Sequence, residues 1–337
     1  MPVSIYLDQL HWIHLAQAYT GHKEGERYKK VYEYLLEQRK AGKIVCPLSL
    51  THYMELSATG SYRQRTDVAT VMAQLSVFRT IAPMSVLRRT EIEQALHKHF
   101  GKPDKPMQPQ PFGLGVYFAA NGENRMMKIR GNESSIESLV AALGGTEKIK
   151  EFEREATFIA EFGVLRGPHD SQVQEIRDKY GYAPEAAEEV ARKRAAQEEE
   201  LAQQLIADPS RRRKLDNIVT ARYLLWELSD PLKPALSKIG MTIDDFFTLG
   251  AEGITQFVHN IPTADVLVSF TKANLKNLNR TWKKNDIHDM DALAVAIPYC
   301  DIVVTEKHAY TQMRNAGMEQ KYDTKILRNI EDLLSVI

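Results

Sequence analysis

The segment NDIHDMDALAVAIPYCDIVVTEK, residues 285–307, sets Asp286, Asp289, Asp291, Asp301 and Glu306 around an apolar run of Ala, Leu, Val and Ile. Asp8 closes a second apolar run, VSIYLD, and Glu55 sits within THYMELSAT. Carboxylates that share one cleft repel one another, so four or five are tolerable there only with a neutralising partner. A hard divalent cation meets that need. Ligation by oxygen alone suits Mg2+ or Mn2+, which keep several waters and use few carboxylates each. The two cysteines, Cys46 and Cys300, lie in apolar runs; they read as reduced core thiols and cannot supply a multi-cysteine zinc site.

Positioning those acids requires strands with helices between them. VSIYLD (3–8), KIVCPLS (43–49), FRTIAPM (78–84), DIVVT (301–305) and a last run near YDTKIL read as short buried strands. HWIHLAQAYT and ERYKKVYEYLLEQRKAG between the first two read as helical with Gly42 as a stop, THYMELSAT as a helix capped by Thr51, RQRTDVATVMAQLS as another, and DMDALAVAIPYC as a buried helix led by Asp291. Strands alternating with helices imply a parallel sheet. In such a sheet the loops at the carboxyl ends of the strands are where chemistry is done, and Asp8 and Glu306 fall at equivalent ends of two strands. Asp291 at a helix start would be favoured by the helix dipole, with Asp289 two residues before it and Glu55 one turn into its own helix.

Residues 101–280 break the alternation. They open with the Pro/Gly-rich GKPDKPMQPQPFGLG and continue with helix signals: a capping-box pattern at Ser134 and Glu137, the charged run PEAAEEVARKRAAQEEELAQQLIA, and a start at Asp208 and Pro209. The expected organisation is therefore an α/β domain made of residues 1–100 and 281–337, interrupted by a mainly helical insertion at 101–280. Because both ends of the insertion rejoin the same core close to the acids, it is expected beside or over the acidic cleft, with the charged run presenting a solvated face.

The ordered set IYLD (Asp8), THYMEL (Glu55), DALAVA (Asp291) and VVTE (Thr305, Glu306) resembles the PIN-domain nucleases over residues 1–100 and 281–337. The resemblance implies a PIN-like three-layer sandwich with a central parallel sheet and a metal-dependent endonuclease, with RNA the favoured substrate. Asp8, Asp291 and Glu306 would hold one or two Mg2+ or Mn2+ ions, Glu55 would bind directly or through water, and Asp289 would complete a second metal position. Asp286 is farther from the helix start, and Thr305 would orient a water or ligand. A toxin, RNA-processing or antiviral role is compatible. The alternative is a catalytically silent PIN-like nucleic-acid-binding or scaffold protein; a haloacid-dehalogenase-like phosphatase wants D-x-D on its first strand, and here Gln9 and Leu10 follow Asp8.

Charge separates further classes. Lys+Arg and Asp+Glu balance at 44 each in 337 residues, so bulk charge marks neither a strongly basic nucleic-acid binder nor an acidic tail. Locally, Lys272, Lys276, Arg280 and Lys284 recur every four residues, with Leu267, Leu275, Leu278 and Trp282 on another helical face. A basic stripe leading into an acidic site would suit a nucleic-acid backbone. His11 and His14 lack a matching acid or cysteine spacing and read as packing or surface, while His288 and His308 read as surface residues. No basic signal segment and no long apolar span is present, so a soluble cytoplasmic protein is expected, with a homo-oligomer or regulatory partner compatible.

Overall fold

The computed structural model describes residues 2–129, 131–132, 140–142, 144–277 and 280–337. The expected capping box at Ser134 and Glu137, and Leu278 of the basic segment, lie outside the described residues. The chain is mostly helical around a four-stranded parallel sheet of order β2–β1–β5–β6, with β1 Val3–Leu7, β2 Ile44–Val45, β5 Ile302–Val304 and β6 Lys325–Leu327. Ile5, Tyr6 and Leu7 pair with Ile302, Val303 and Val304, and β5 pairs in turn with β6. The strands are apolar on both faces because both faces are covered. Ile5, Leu7, Ile302, Val304 and Leu327 enter one core with Trp12, Leu15, Leu35 and Met72, whereas Tyr6, Val303 and Ile326 enter the other with Phe270, Ile287 and Leu293. The result is three layers: helices, sheet, helices.

The strand order has a functional consequence. From β1 the chain moves to β2 on one side, and it later re-enters through β5 on the other side of β1. The crevice between β1 and β5 at their carboxyl ends is therefore the topological switch point, where open α/β sheets place their ligands. Asp8 and Thr305 extend the strands into that crevice: the Asp8 N–H donates to the Val304 carbonyl at 3.0 Å and the Thr305 N–H to that of Leu327 at 3.0 Å.

Two expectations about the sheet and the insertion change. FRTIAPM does form a strand, β3 Arg79–Ile81, but its ladder partner is antiparallel: β4 Phe112–Leu114, from inside the Pro/Gly-rich stretch. A single parallel bridge, Leu48 with Thr80, joins this pair to the chain after β2. Nor is the insertion a separate body. One apolar core runs from Leu201, Leu228 and Phe257 of the insertion to Leu293 and Val303, and the helix Pro262–Leu275 is buried against the helix Lys284–Ala296. The charged run forms a single helix, Pro184–Ala207, which packs on the helices Leu50–Ser57 and Lys284–Ala296. Those two helices carry Glu55 and Asp289, so the insertion does lie beside the acids.

Candidate metal centre

Asp8 is made by the end of β1 and the start of the next helix. One carboxylate oxygen caps the helix Gln9–Tyr19 by accepting from the Gln9 N–H at 2.7 Å, and the other accepts from the Thr305 hydroxyl at 3.1 Å. Thr305 thus orients a ligand side chain through its hydroxyl. Burial, and then the charge of Glu306, push the Asp8 carboxyl up to about 6 against those hydrogen bonds.

Glu55 is placed by a buried histidine that sequence reasoning did not single out. The helix Leu50–Ser57 is capped by Ser49, not by Thr51, in a box closed by His52. The Ser49 N–H donates to His52 Nδ1 at 3.0 Å, so the proton of the neutral ring is on Nε2, which donates to the Leu7 carbonyl at 2.8 Å. Burial keeps this imidazole neutral, its pKa lowered to about 4. One ring therefore ties the peptide just before Asp8 to the helix that carries Glu55 one turn later. His52→Leu leaves the Leu7 carbonyl and the Ser49 N–H without partners and is expected to cost about 2–4 kcal/mol. Denaturant melts check this; a loss under about 0.5 kcal/mol would show that the ring does not hold the two elements together.

Asp289 and Asp291 exchange their expected roles. The helix starts at Lys284 and not at Asp291, because Asp286 closes its first turn: its Oδ2 accepts from the Lys283 N–H at 2.8 Å, and Arg280 pairs with its other oxygen. Asp291 then lies two turns into the helix and about 200° around it from Asp289. Asp289 faces the switch point. Burial raises its carboxyl to about 9, followed by the charges of Asp8, Glu55, Glu306 and Asp286. Asp291 points into the helical layer, where the Arg194 fork binds it at 2.5 and 3.0 Å. Each half of that pair is only about 30% exposed (30% and 28%), and so Asp291→Asn is expected to lower stability by about 1–2 kcal/mol while leaving the acidic centre intact. Melting curves with unchanged stability would remove Asp291 from the structural role.

Glu306 begins the helix Lys307–Asn315 without capping it, and is exposed. Its charge nevertheless acts on Asp8, Glu55 and Asp289. Glu55 is driven to about 8 by burial, then by Asp8, Glu188 and Glu306, with Lys284 opposing. The structure therefore gathers Asp8, Glu55, Asp289 and Glu306 around the carboxyl ends of β1 and β5, with Asp286 at the margin and Asp291 outside. Among the described residues no group of three or more His, Cys, Asp or Glu side chains is drawn into metal-holding geometry.

The basic stripe is not one helical face. The helix Pro262–Leu275 ends before Lys276, and the next helix begins at Lys284. Lys272 pairs with Asp216, Arg280 with Asp286 and Lys284 with Glu188, which leaves exposed Lys276 as the member without an ion pair among the described residues. His288, expected at the surface, is 4% exposed, with Nε2 3.5 Å from Glu188. His11 is buried edge-on to His14, as packing requires. Glu188 and Arg194 were missed because both sit in a charged helix that reads as a solvated face, and nothing local marks the flank that turns inward.

Comparison of the chain with protein-family models, curated proteins and solved structures returned no match. Among the described residues no helix is long and apolar enough to cross a membrane.

Proposed function

We propose that this protein is a metal-dependent endonuclease of the PIN-like class, with RNA as its favoured substrate. The observation that carries the reading is the convergence of Asp8, Glu55, Asp289 and Glu306 on the switch-point crevice, where each carboxyl is raised by burial or presses on its neighbours. Asp8, Asp289 and Glu306 would hold Mg2+ or Mn2+, with Glu55 direct or through water. When bound, such an ion lowers the pKa of water and neutralises charge on a phosphodiester. The chain's own part is to fix the acids: Thr305 holds Asp8 by its hydroxyl, His52 holds the backbone before Asp8 against the Glu55 helix, and the Asp286 cap fixes the rotation that turns Asp289 inward. No side-chain nucleophile is required.

The test is incubation of the protein with labelled single-stranded RNA and DNA in Mg2+, Mn2+ or EDTA. Cleavage of RNA in either metal and none in EDTA is the expected result, with slower cleavage of DNA. Intact substrate under all conditions would sink the nuclease reading and leave a silent nucleic-acid-binding or scaffold protein.

A further inference from the structure

Beside the acids, a groove of about 510 Å³ runs between the end of the Glu55 helix and the insertion, lined by Thr59, Arg65, Arg177, Tyr182, Glu188 and Lys284 among others. Every cation in its wall is held by a carboxylate of the insertion: Arg65 by Asp170, Arg177 by Glu185 and Lys284 by Glu188. The last pair differs from the other two in where it sits. Glu188 and Lys284 both act on Glu55, with opposite signs, so this pair stands at the edge of the acidic centre. Glu188 also faces His288, which is 4% exposed and whose Nε2 has no hydrogen-bond partner, the nearest Glu188 oxygen being 3.5 Å away.

A buried ring nitrogen left without a hydrogen bond is costly, and Glu188, whose Oε2 pairs with Lys284, holds its Oε1 3.5 Å from that nitrogen, at the long limit of a hydrogen bond. A phosphodiester could close that distance. It carries the same single charge as a carboxylate, but its oxygens are spread tetrahedrally, and it would accept from Lys284 and from the N–H of a His288 ring protonated on Nε2. We propose that Lys284 and His288 form a subsite for a backbone phosphate of the nucleic-acid strand next to the acidic centre, and that Glu188 of the insertion occupies it when no strand is bound. Exchange leaves the net charge of the subsite unchanged. Glu188 is free to swing aside, because it lies in the second turn of its helix and its side chain already reaches solvent at 16% exposure. The insertion thereby competes with the strand for the subsite.

This inference rests on the nucleic-acid reading above. It is tested by binding of a short fluorescein-labelled single-stranded RNA in EDTA, where no metal-dependent cleavage intervenes. Glu188→Gln keeps the shape of the side chain and removes its charge. It is expected to bind the RNA at least about fivefold tighter, with a plot of log K against log salt steeper by about 0.7, as one additional phosphate contact on a single strand gives. Both gains should vanish in Glu188→Gln combined with Lys284→Met, and melts of both variants show that each is folded. Affinity unchanged or weaker in Glu188→Gln, or a gain that survives Lys284→Met, overturns the subsite. Metal-dependent cleavage by the wild-type chain is scored separately, so its presence alongside a missing Glu188 effect removes the subsite and leaves the nuclease assignment standing.

Discussion

Asp289→Asn is expected to abolish RNA cleavage, by at least about 10²- to 10³-fold, the usual cost of removing one fixed group that manages charge at the reacting centre, and at the same time to make the metal-free protein more stable. The two effects have one cause. In the folded chain the Asp289 carboxyl is raised to about 9 by burial and by Asp8, Glu55, Glu306 and Asp286, so at pH 8 the protein carries a penalty that the unfolded chain does not. Each pKa unit is about 1.4 kcal/mol, and the members of such a set titrate together, so the penalty belongs to the cluster. An amide carries no charge and relieves it. A gain of at least about 1 kcal/mol at pH 8 is expected in EDTA, shrinking toward zero below about pH 3, where the carboxyl is protonated in both states. Asp291→Asn should do the reverse on both counts, cutting normally and melting lower, since Arg194 loses the carboxylate that its fork binds at two points. An Asp289→Asn protein that melts lower than wild type at pH 8 would make this carboxylate an ordinary structural acid.

The second large effect is the response of the wild-type chain to pH and metal. Asp8, Glu55 and Asp289 have folded pKa values raised to about 6, 8 and 9. An acid whose pKa is raised on folding holds its proton longer in the native state than in the unfolded one. The native chain therefore binds more protons across the window, and stability falls as pH rises from about 4 to about 9. Below that window these groups contribute no difference. His52 adds a separate slope at the acid end: lowered to about 4, it must gain a proton on unfolding, so stability also falls as pH drops from about 6.5 toward 4. Metal acts on the first slope only. At 100 times its dissociation constant, a ligand of the native state adds about 2.7 kcal/mol. With an unfolding entropy of roughly 0.7 kcal/mol/K for a chain of this length, that raises the melting temperature by about 4 °C. Thermal melts from pH 4 to 9 with EDTA and with Mn2+ check both statements. A stability profile that rises between pH 7 and 9 in EDTA, above the His52 window, contradicts the crowding of these acids.

What could be read from the sequence, and what could not, divides along the reach of each interaction. The four strands of the parallel sheet were legible because each is an apolar run with both faces buried, and Asp8 and Glu306 followed from them as strand-end residues. Glu55 was legible as well, although its helix is capped by Ser49 and His52 and not by Thr51. The strand β4 was hidden because three residues, Phe112–Leu114, carry no periodicity and sit among prolines. Asp289 and Asp291 were exchanged for a different reason. The Ala-rich run drew the helix start to Asp291, whereas the Asp286 cap sets it at Lys284, and seven residues of shift decide which acid faces the sheet. The spacing of Ile287, Met290 and Leu293 was the available sign that the helix begins earlier, for all three are buried. No local signal exists for the fate of the basic residues. Lys272 meets Asp216 across 56 residues within the insertion, and Lys284 meets Glu188 across 96, pairings that arise only once the insertion has folded and, for Lys284, packed on the core.

The most direct test of the metal-centre assignment is a crystal structure of the wild-type chain grown with Mn2+, examined by anomalous scattering at the manganese edge. The expected result is one or two peaks in the crevice beyond β1 and β5, with oxygens of Asp8, Asp289 and Glu306 at about 2.0–2.2 Å, Glu55 direct or one water away, and Asp291 still held by Arg194. Saturating Mn2+ with no peak in that crevice, or a peak held by Asp291 in place of Asp289, would contradict it.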